Sequence, residues 1–282
     1  MSLYDVQSSA DPRKVPINQV GVKGVRHPLQ VRRRDGSVLS TVATANLYVG
    51  LEHDVKGTHM SRFVEILHEQ VAPLTQEGFR ALLGVVAGRL KARTSHVELS
   101  FPFFVVKRAP VSSVPSYLDY EVSFVGDYED GQSTIALRAV IPVTSLCPCS
   151  KKISDYGAHN QRSHITLHVE PEPVEPGPKQ GEPRASLTFE ELIETAEQCA
   201  SMELYGILKR PDEKYVTEKA YENAKFVEDM IRDLALRLRN DNRVARYRIE
   251  VENFESIHNH SAYASIEHDK RAESQRLPKA AE

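Results

Sequence analysis

Strand-like and helix-like segments follow one another along this chain in a fixed order, which narrows the possible folds more than any other feature. Two segments with alternating apolar residues come first, two with helical periodicity follow, and two more strand-like segments close the block. The same order then occurs a second time, without sequence similarity between the two halves. Strands and helices that segregate in this way predict an α+β fold with antiparallel sheets.

Turn and capping signals delimit the elements. Asp35-Gly36 and Asp130-Gly131 are strong hairpin turn pairs, and Thr188 with Glu191 forms a capping box. The predicted strands are residues 29–33, 38–42, 97–106, 117–125, 134–143, 164–170, 245–251 and 262–266. The predicted helices lie at 60–71, after Thr75, after Thr188 and from Thr217 to Leu238. Residues 171–184 contain five prolines and predict a surface loop.

Composition and charge exclude several classes of protein. The 282 residues carry a net charge of −3 and give no support for nucleic-acid binding, so any anion site must be local. No apolar run is long enough for a membrane span. Three cysteines cannot all pair within one chain, and the polar N-terminus lacks the apolar region of a signal peptide. We therefore expect a reducing, cytoplasmic location.

Two of the three cysteines, Cys147 and Cys149, flank a proline, and His159 follows ten residues after the second. Thiolate and imidazole are ligands that zinc and similar metals prefer. Positive charge beside a reactive or metal-bound cysteine suggests an anionic substrate. The nearby basic residues are Lys151, Lys152 and Arg162. The alternative is that both cysteines are small buried residues at a strand end.

Two glutamates are further candidates. Glu203 continues the apolar helical stripe that includes Leu192 and Cys199, and a buried carboxylate is costly unless it is paired or binds a metal. The alternative is a frayed helix end with Glu203 in water. Glu218 opens the predicted helix after Thr217, where the helix dipole favours an anion. A carboxylate there could also accept two parallel N–H bonds, as the edge of a guanine offers.

Histidines supply the remaining candidates. His258 and His260 lie between two predicted strands and project to the same side of an extended chain. A histidine near a metal can be a ligand or a general acid or base, and solvated loop side chains are the alternative. His59 and Arg62 enter the first helix, whose exposed N–H groups could hold phosphate, but taken alone this motif favours an ordinary solvated helix start. No Walker-type or serine-hydrolase motif is present.

Four stretches in combination resemble the type IB GTP cyclohydrolases, which are prokaryotic folate enzymes. They are residues 57–62, the Cys-Pro-Cys run with 157–163, residues 202–221 and residues 255–264. The resemblance implies a tunnelling fold, in which antiparallel sheets join edge to edge into a barrel in the oligomer. It also implies a homotetramer with active sites at subunit interfaces.

The resemblance further implies two tunnelling-fold modules in each chain. The first would cover residues 17–143, and the second, which would carry the metal site, residues 144–269. Residues 1–16 and 270–282 are expected to be disordered tails.

Carried over by position, the resemblance implies roles for individual residues. Cys147, His159 and Glu203 resemble the metal-binding set, and His258 resembles a histidine at the metal centre, either a ligand or a proton shuttle. Glu218 resembles the guanine anchor. Cys149 and His260 are the remaining catalytic candidates, and those for triphosphate binding are Lys151, Lys152, Arg162, His59 and Arg62. The implied cofactor is a divalent metal, zinc or manganese, with iron, cobalt and magnesium as further candidates.

The implied reaction is hydrolysis of GTP to formate and 7,8-dihydroneopterin triphosphate, the first step of tetrahydrofolate biosynthesis, with water attacking C8 of the purine. Two other classes stay open. One is a tunnelling-fold enzyme related to pyruvoyl-tetrahydropterin synthase, whose metal is bound by histidines alone. The other is a non-enzymatic module in which cysteine and histidine hold a structural zinc.

Overall fold

The computed structural model describes Gln7, residues 9–173 and residues 186–272. Residues 1–6, 8 and 273–282 of the predicted tails, and 174–185 of the proline-rich loop, lie outside the described residues. The chain divides into two compact units. Among the described residues, the first unit comprises Gln7, 9–102 and 123–136, and the second comprises 103–122, 137–173 and 186–272.

Eight strands form one antiparallel sheet with the strand order β1 to β8, so neighbours in the chain are neighbours in the sheet. The strands are β1 (Ile17–Arg32), β2 (Val38–Leu51), β3 (Thr94–Arg108), β4 (Pro115–Glu129), β5 (Gln132–Leu146), β6 (Asn160–Pro171), β7 (Val244–Asn253) and β8 (Ala262–Asp269). All eight predicted strands are confirmed, and most are longer than predicted. Their polar ends pair through the backbone, which the side-chain pattern does not report.

Six helices lie within the described residues. They are α1 (Met60–Glu69), α2 (Gln76–Leu90), α3 (Pro148–Ile153), α4 (Phe189–Glu197), α5 (Arg210–Glu222) and α6 (Val227–Asn240). The Thr188–Glu191 capping box is present, with the Thr188 N–H donating to Glu191 Oε2 at 2.9 Å. The α+β class and the order of the two blocks are therefore confirmed, and the short helix α3 is an addition to the second block.

The single helix predicted from Thr217 to Leu238 is wrong, because the chain forms two helices there. Tertiary hydrogen bonds interrupt the helical period between them. The Lys225 N–H donates to the Leu146 carbonyl at 3.0 Å, and the Asn223 amide donates to the carbonyls of Ala200 and Ser201 at 2.9 and 3.1 Å. The first bond takes a backbone N–H that a continuous helix would otherwise use, and the other two tie the Asn223 side chain to the segment after α4.

The turn between β4 and β5 has the predicted two-residue form. Asp130 and Gly131 both have positive φ, 45° and 94°, as a type I′ turn requires. In the first unit, α2 lies close to the sheet because Gly126 has no side chain. A Cβ there would approach Leu83 Cδ1 at 2.7 Å and Phe79 Cε1 at 2.9 Å. The core beside it stacks the rings of Phe79 and Phe124, with centroids 5.2 Å apart.

The core of the second unit forms where α6 packs on β7 and β8 and α4 packs on α6. Leu192 on α4 and Leu234 on α6 are almost completely buried, as are Ile165 on β6 and Ile249 on β7. Burying each such side chain contributes roughly 1.5–3 kcal/mol. Cys199 is 1% exposed, so its predicted place in the core is confirmed.

Asp212 fixes the start of α5 to the loop between β3 and β4. Its carboxylate accepts the backbone N–H groups of Val111 and Ser112, each at 2.8 Å, and the Ser112 hydroxyl at 2.6 Å. The Lys209 N–H also donates to it at 2.8 Å. Burial by itself would raise the pKa of Asp212, but these four donors outweigh it and hold the pKa well below its usual range.

We expect Asp212→Asn to lower the melting temperature on the order of 5 °C, because an amide NH2 would face N–H donors. A carboxyl whose pKa is lowered by folding stabilises the protein above its unfolded pKa and loses that contribution as the pH falls. The difference from wild type should therefore be full at neutral pH and shrink below about pH 4. Thermal denaturation across pH measures it, with the exposed Asp155→Asn as the control. A difference that does not change with pH would contradict this account.

Candidate active site

Cys147 follows the last residue of β5 and caps α3. Pro148 occupies the first turn of this helix, where its missing N–H costs nothing. The Cys147 sulfur accepts the Ser150 N–H at 3.4 Å. Cys147 is half-buried, whereas Cys149 is exposed. The backbone therefore holds Cys147 in a defined position, while Cys149 faces solvent nearby.

His159 lies opposite Cys147 across the end of the β5–β6 hairpin. Leu146 pairs with Asn160 in the last register position, and the Cys147 N–H donates to the His159 carbonyl at 3.1 Å. The His159 ring contacts the Ser256 hydroxyl through Nδ1 at 3.1 Å. A neutral imidazole engaged at Nδ1 offers Nε2 as a metal donor.

The loop between β7 and β8 carries two further histidines. Ser256, which contacts His159, precedes His258 by two residues. The rings of His258 and His260 are exposed and stack with centroids 5.1 Å apart and an interplanar angle of 17°. The prediction that they project to one side is consistent with this stacking.

Glu203 lies on a loop that is tied to β5 just before Cys147. The Thr144 N–H donates to the Met202 carbonyl at 2.9 Å, and the Leu146 N–H donates to the Ser201 hydroxyl at 3.1 Å. The extended helical stripe was the wrong reason for selecting Glu203, because α4 ends at Glu197. Its side chain is nevertheless only 33% exposed.

The Glu203 carboxylate contacts a buried lysine. Lys107 donates to Glu203 and also to Glu197 Oε2, the latter at 2.7 Å. The Tyr205 hydroxyl donates to Glu203 Oε1 at 2.7 Å. Burial opposes ionisation of Glu203, but the bonds from Lys107 and Tyr205 outweigh it and lower its pKa. Burial raises the pKa of Glu197.

Helix α5 carries Glu218 in its third turn. The prediction that Glu218 opens a helix is wrong, because α5 begins at Arg210, with Pro211 in its first turn, and the dipole argument fails with it. The side chain is 61% exposed, and Lys214 Nζ lies 3.7 Å from its carboxylate. An exposed pair at that distance is weak. The Glu218 carboxylate is therefore accessible to another donor.

A cavity of about 290 Å³ lies between the end of α4, the loop that carries Glu203, and α5. Glu203, Tyr215, Lys219 and Asn223 are among its lining residues. The far end of α5 meets α3, because Lys151 Nζ donates to the Tyr221 carbonyl at 2.5 Å and lies 4.3 Å from the centroid of the Tyr221 ring. This contact links the helix of Glu218 to the segment of Cys147.

The triphosphate candidates are placed unevenly. Lys152 and Arg162 are exposed in the second unit, whereas the Lys151 ammonium group is engaged with Tyr221. His59, the N-cap of α1, and Arg62 belong to the first unit. Their predicted role in phosphate binding stays a prediction.

The donors fit a divalent metal in their chemistry and partly in their placement. Cys147 and His159 are joined by a backbone hydrogen bond, and Glu203 follows Met202, whose backbone pairs with Thr144 of β5. Within residues 9–173 and 186–272, no group of three or more His, Cys, Asp or Glu side chains is already assembled to hold an ion. The third donor, Glu203, instead contacts Lys107.

Lys107 and Glu197 are absent from the predicted site residues, although each carries a signal in the sequence. Lys107 occupies an inward position in the alternation of β3, after Val97, Leu99 and Phe103. Glu197 lies four residues after Ile193 on the buried face of α4. A charged residue on an apolar face predicts a buried ion pair, but the predicted strand ended at residue 106, one residue short of Lys107.

Comparisons with known proteins show the family to which the chain belongs. The family described as type I GTP cyclohydrolase folE2 matches residues 3–264. The chain belongs to this family. A GTP cyclohydrolase FolE2 of Paraburkholderia phymatum is 58% identical over 267 residues, covering 95% of each chain. Another, of Nitrosococcus oceani, is 54% identical over 268 residues, covering 95% of this chain and 96% of that one. The prediction of an enzyme is therefore confirmed, and the structural-zinc alternative is set aside.

Among solved structures, the uricase of Arthrobacter globiformis has a TM-score of 0.50 at 10% sequence identity. The alignment covers 94% of this GTP cyclohydrolase family member and 96% of the uricase chain. At this identity the likeness shows the fold alone, and it confirms the predicted tunnelling fold. Among the described residues, no helix is long and apolar enough to cross a membrane.

Proposed function

We propose that this chain is a type IB GTP cyclohydrolase that hydrolyses GTP to formate and 7,8-dihydroneopterin triphosphate. The observation that carries the proposal is the family match over residues 3–264, which includes a cysteine and a histidine held opposite each other at the end of β5 and β6. This placement supports a divalent metal site built on the sheet, where rigid strands position the donors.

Cys147, His159 and Glu203 would hold the ion, which is zinc or manganese, with iron, cobalt and magnesium as further candidates. When bound, such an ion supplies Lewis acidity that makes water a stronger nucleophile near neutral pH. The contact from Ser256 to His159 Nδ1 orients the imidazole, and the Ser150 N–H orients the sulfur of Cys147. The chain therefore fixes two donors before an ion arrives.

Glu218 would anchor the guanine. A carboxylate can accept the ring N–H and the exocyclic amine of guanine together, whereas adenine presents no such pair of donors. With the guanine edge held on α5, C8 of the purine would face the Cys147 segment, to which α5 is tied through Lys151 and Tyr221. The exposed position of Glu218 supports this role.

The exposed histidine pair, His258 and His260, would transfer protons. His258, assisted by His260 and Cys149, would protonate the imidazole-ring nitrogen of the substrate as that ring opens, and water would complete the release of formate. Lys152 and Arg162, with Lys151, His59 and Arg62, would bind the triphosphate. The oligomer would be a homotetramer with sites at subunit interfaces and barrels closed by sheet edges, working in the cytoplasm.

Removal of divalent metal tests this proposal. We expect protein that has been dialysed against a chelator to lose GTP turnover, and added zinc or manganese to restore it. Pterin absorbance and formate release measure the loss and the recovery. A chelator-treated protein that contains no metal and still turns over GTP at the original rate would contradict the metal requirement.

A further inference from the structure

Lys107 is an unusual residue for the interior of the second unit. It is 8% exposed at an inward position of β3, and it donates to both Glu197 and Glu203. A buried ammonium group requires a compensating charge, because its desolvation costs several kcal/mol. Here one lysine has two carboxylate partners, which is one more than charge neutrality requires.

The two carboxylates are held differently. Glu197 is 7% exposed and also accepts the hydroxyl of Tyr120, itself 1% exposed, at 2.6 Å. Glu203 is 33% exposed, borders the cavity beside α5, and accepts the hydroxyl of the half-buried Tyr205. Glu197 is thus fixed in the core, whereas Glu203 lies at the edge of the cluster.

Glu203 is also near the proposed metal donors along the backbone. The residue before it, Met202, pairs with Thr144, three residues before Cys147. Rotation of the Glu203 side chain, without movement of the paired backbone, would change its partner. Such a change costs little free energy only if the buried Lys107 ammonium group keeps a counter-ion, and Glu197 supplies one.

We propose that Lys107 is a positioning residue that competes with a divalent metal for the Glu203 carboxylate and releases it when the metal binds. Glu197 keeps the lysine paired after the release. This inference rests on the proposed metal site. It assigns a function to Lys107 and Glu197, two buried charges that the proposed reaction does not use, and it makes metal affinity depend on residues that contact no metal.

Zinc affinity of the metal-free protein tests the proposal, measured by competition with a chromophoric chelator. Lys107→Met keeps the apolar stem of the side chain and removes its charge. Zinc would then no longer compete with the Lys107 ammonium group for Glu203, and the Kd for zinc should fall by about tenfold or more. Glu197→Gln keeps the shape and the Tyr120 contact but leaves Lys107 dependent on Glu203. Its zinc Kd should rise by about tenfold.

Two further variants keep the test decisive. Tyr205→Phe removes a neutral hydrogen bond to Glu203 and should tighten zinc binding by roughly threefold. This variant tests the proposal independently if Lys107→Met does not fold. In a Glu203→Gln background, Lys107→Met should leave the zinc Kd unchanged, because the coupling runs through that carboxylate.

Opposite shifts for Lys107→Met and Glu197→Gln would establish the proposal. Weaker zinc binding in both variants would overturn it and make the cluster purely structural, as would tighter binding by Lys107→Met that persists without Glu203. If wild type itself binds no zinc, the proposed metal site fails as well. Measured zinc binding with no response to Lys107 would leave that site intact and remove only this inference.

Discussion

Cys147→Ala is expected to abolish formate release from GTP and to lower the amount of bound metal. The loss of turnover should be on the order of a thousandfold, or ~4 kcal/mol of transition-state stabilisation, because the substitution removes the only soft donor in the proposed set. The backbone around Cys147 should persist, since its N–H bond to the His159 carbonyl does not involve the side chain. Turnover and elemental analysis of the purified variant measure both effects.

Cys199→Ala is the matched control for Cys147→Ala. It removes a thiol that is buried on the core face of the second unit, so it should cost some stability but keep metal content and turnover. Normal turnover with full metal content in Cys147→Ala would show that the assignment of the metal ligand is wrong. Equal loss of metal in both variants would point to a global effect on folding.

Glu218→Ala should reduce discrimination between GTP and ATP far more than it reduces metal content. Loss of a carboxylate that accepts two N–H bonds from guanine should lower the preference for GTP on the order of a hundredfold or more. The native structure should be little affected, because Glu218 is exposed and its contact with Lys214 is weak. The ratio of kcat/KM for GTP to that for ATP is the quantity to measure.

Two variants on the same helix isolate the effect of Glu218. Glu222→Ala removes an exposed carboxylate one turn further along α5 and should keep the GTP preference. Glu218→Gln keeps the size of the side chain but replaces one hydrogen-bond acceptor by a donor. It should therefore lose almost as much of the preference for GTP as Glu218→Ala does. Loss of metal in step with loss of turnover would make Glu218 a metal ligand and not a guanine anchor.

The fold was largely predictable because period-two and helical patterns, capping boxes and Asp-Gly turns are local signals. The order of strands in the sheet follows, since chain neighbours tend to pair. The break between α5 and α6 was not predictable from periodicity, because it depends on bonds from Asn223 and Lys225 to residues that are distant in sequence. Such tertiary bonds override local preference for a helix.

The candidate site likewise contains residues that local sequence patterns predict and residues that depend on contacts between distant parts of the chain. Cys147 and His159 lie at the facing ends of β5 and β6, two consecutive strands that the sequence predicts, so their approach follows from the sequence. Glu203 was selected for its burial, but its partner Lys107 lies almost a hundred residues earlier in the chain, on another strand. No short-range pattern reports that pairing, although the inward position of Lys107 on β3 is a usable signal.

Product analysis of GTP turnover tests the central claim most directly. Purified protein, loaded with zinc or manganese, should be incubated with GTP, and formate and the fluorescence of the oxidised pterin followed together, with ATP as the control substrate. We expect GTP to yield formate and pterin in equal amounts and ATP to yield neither. Metal-loaded protein that leaves GTP unchanged, or that consumes it without releasing formate, would contradict the assignment of this chain as a GTP cyclohydrolase.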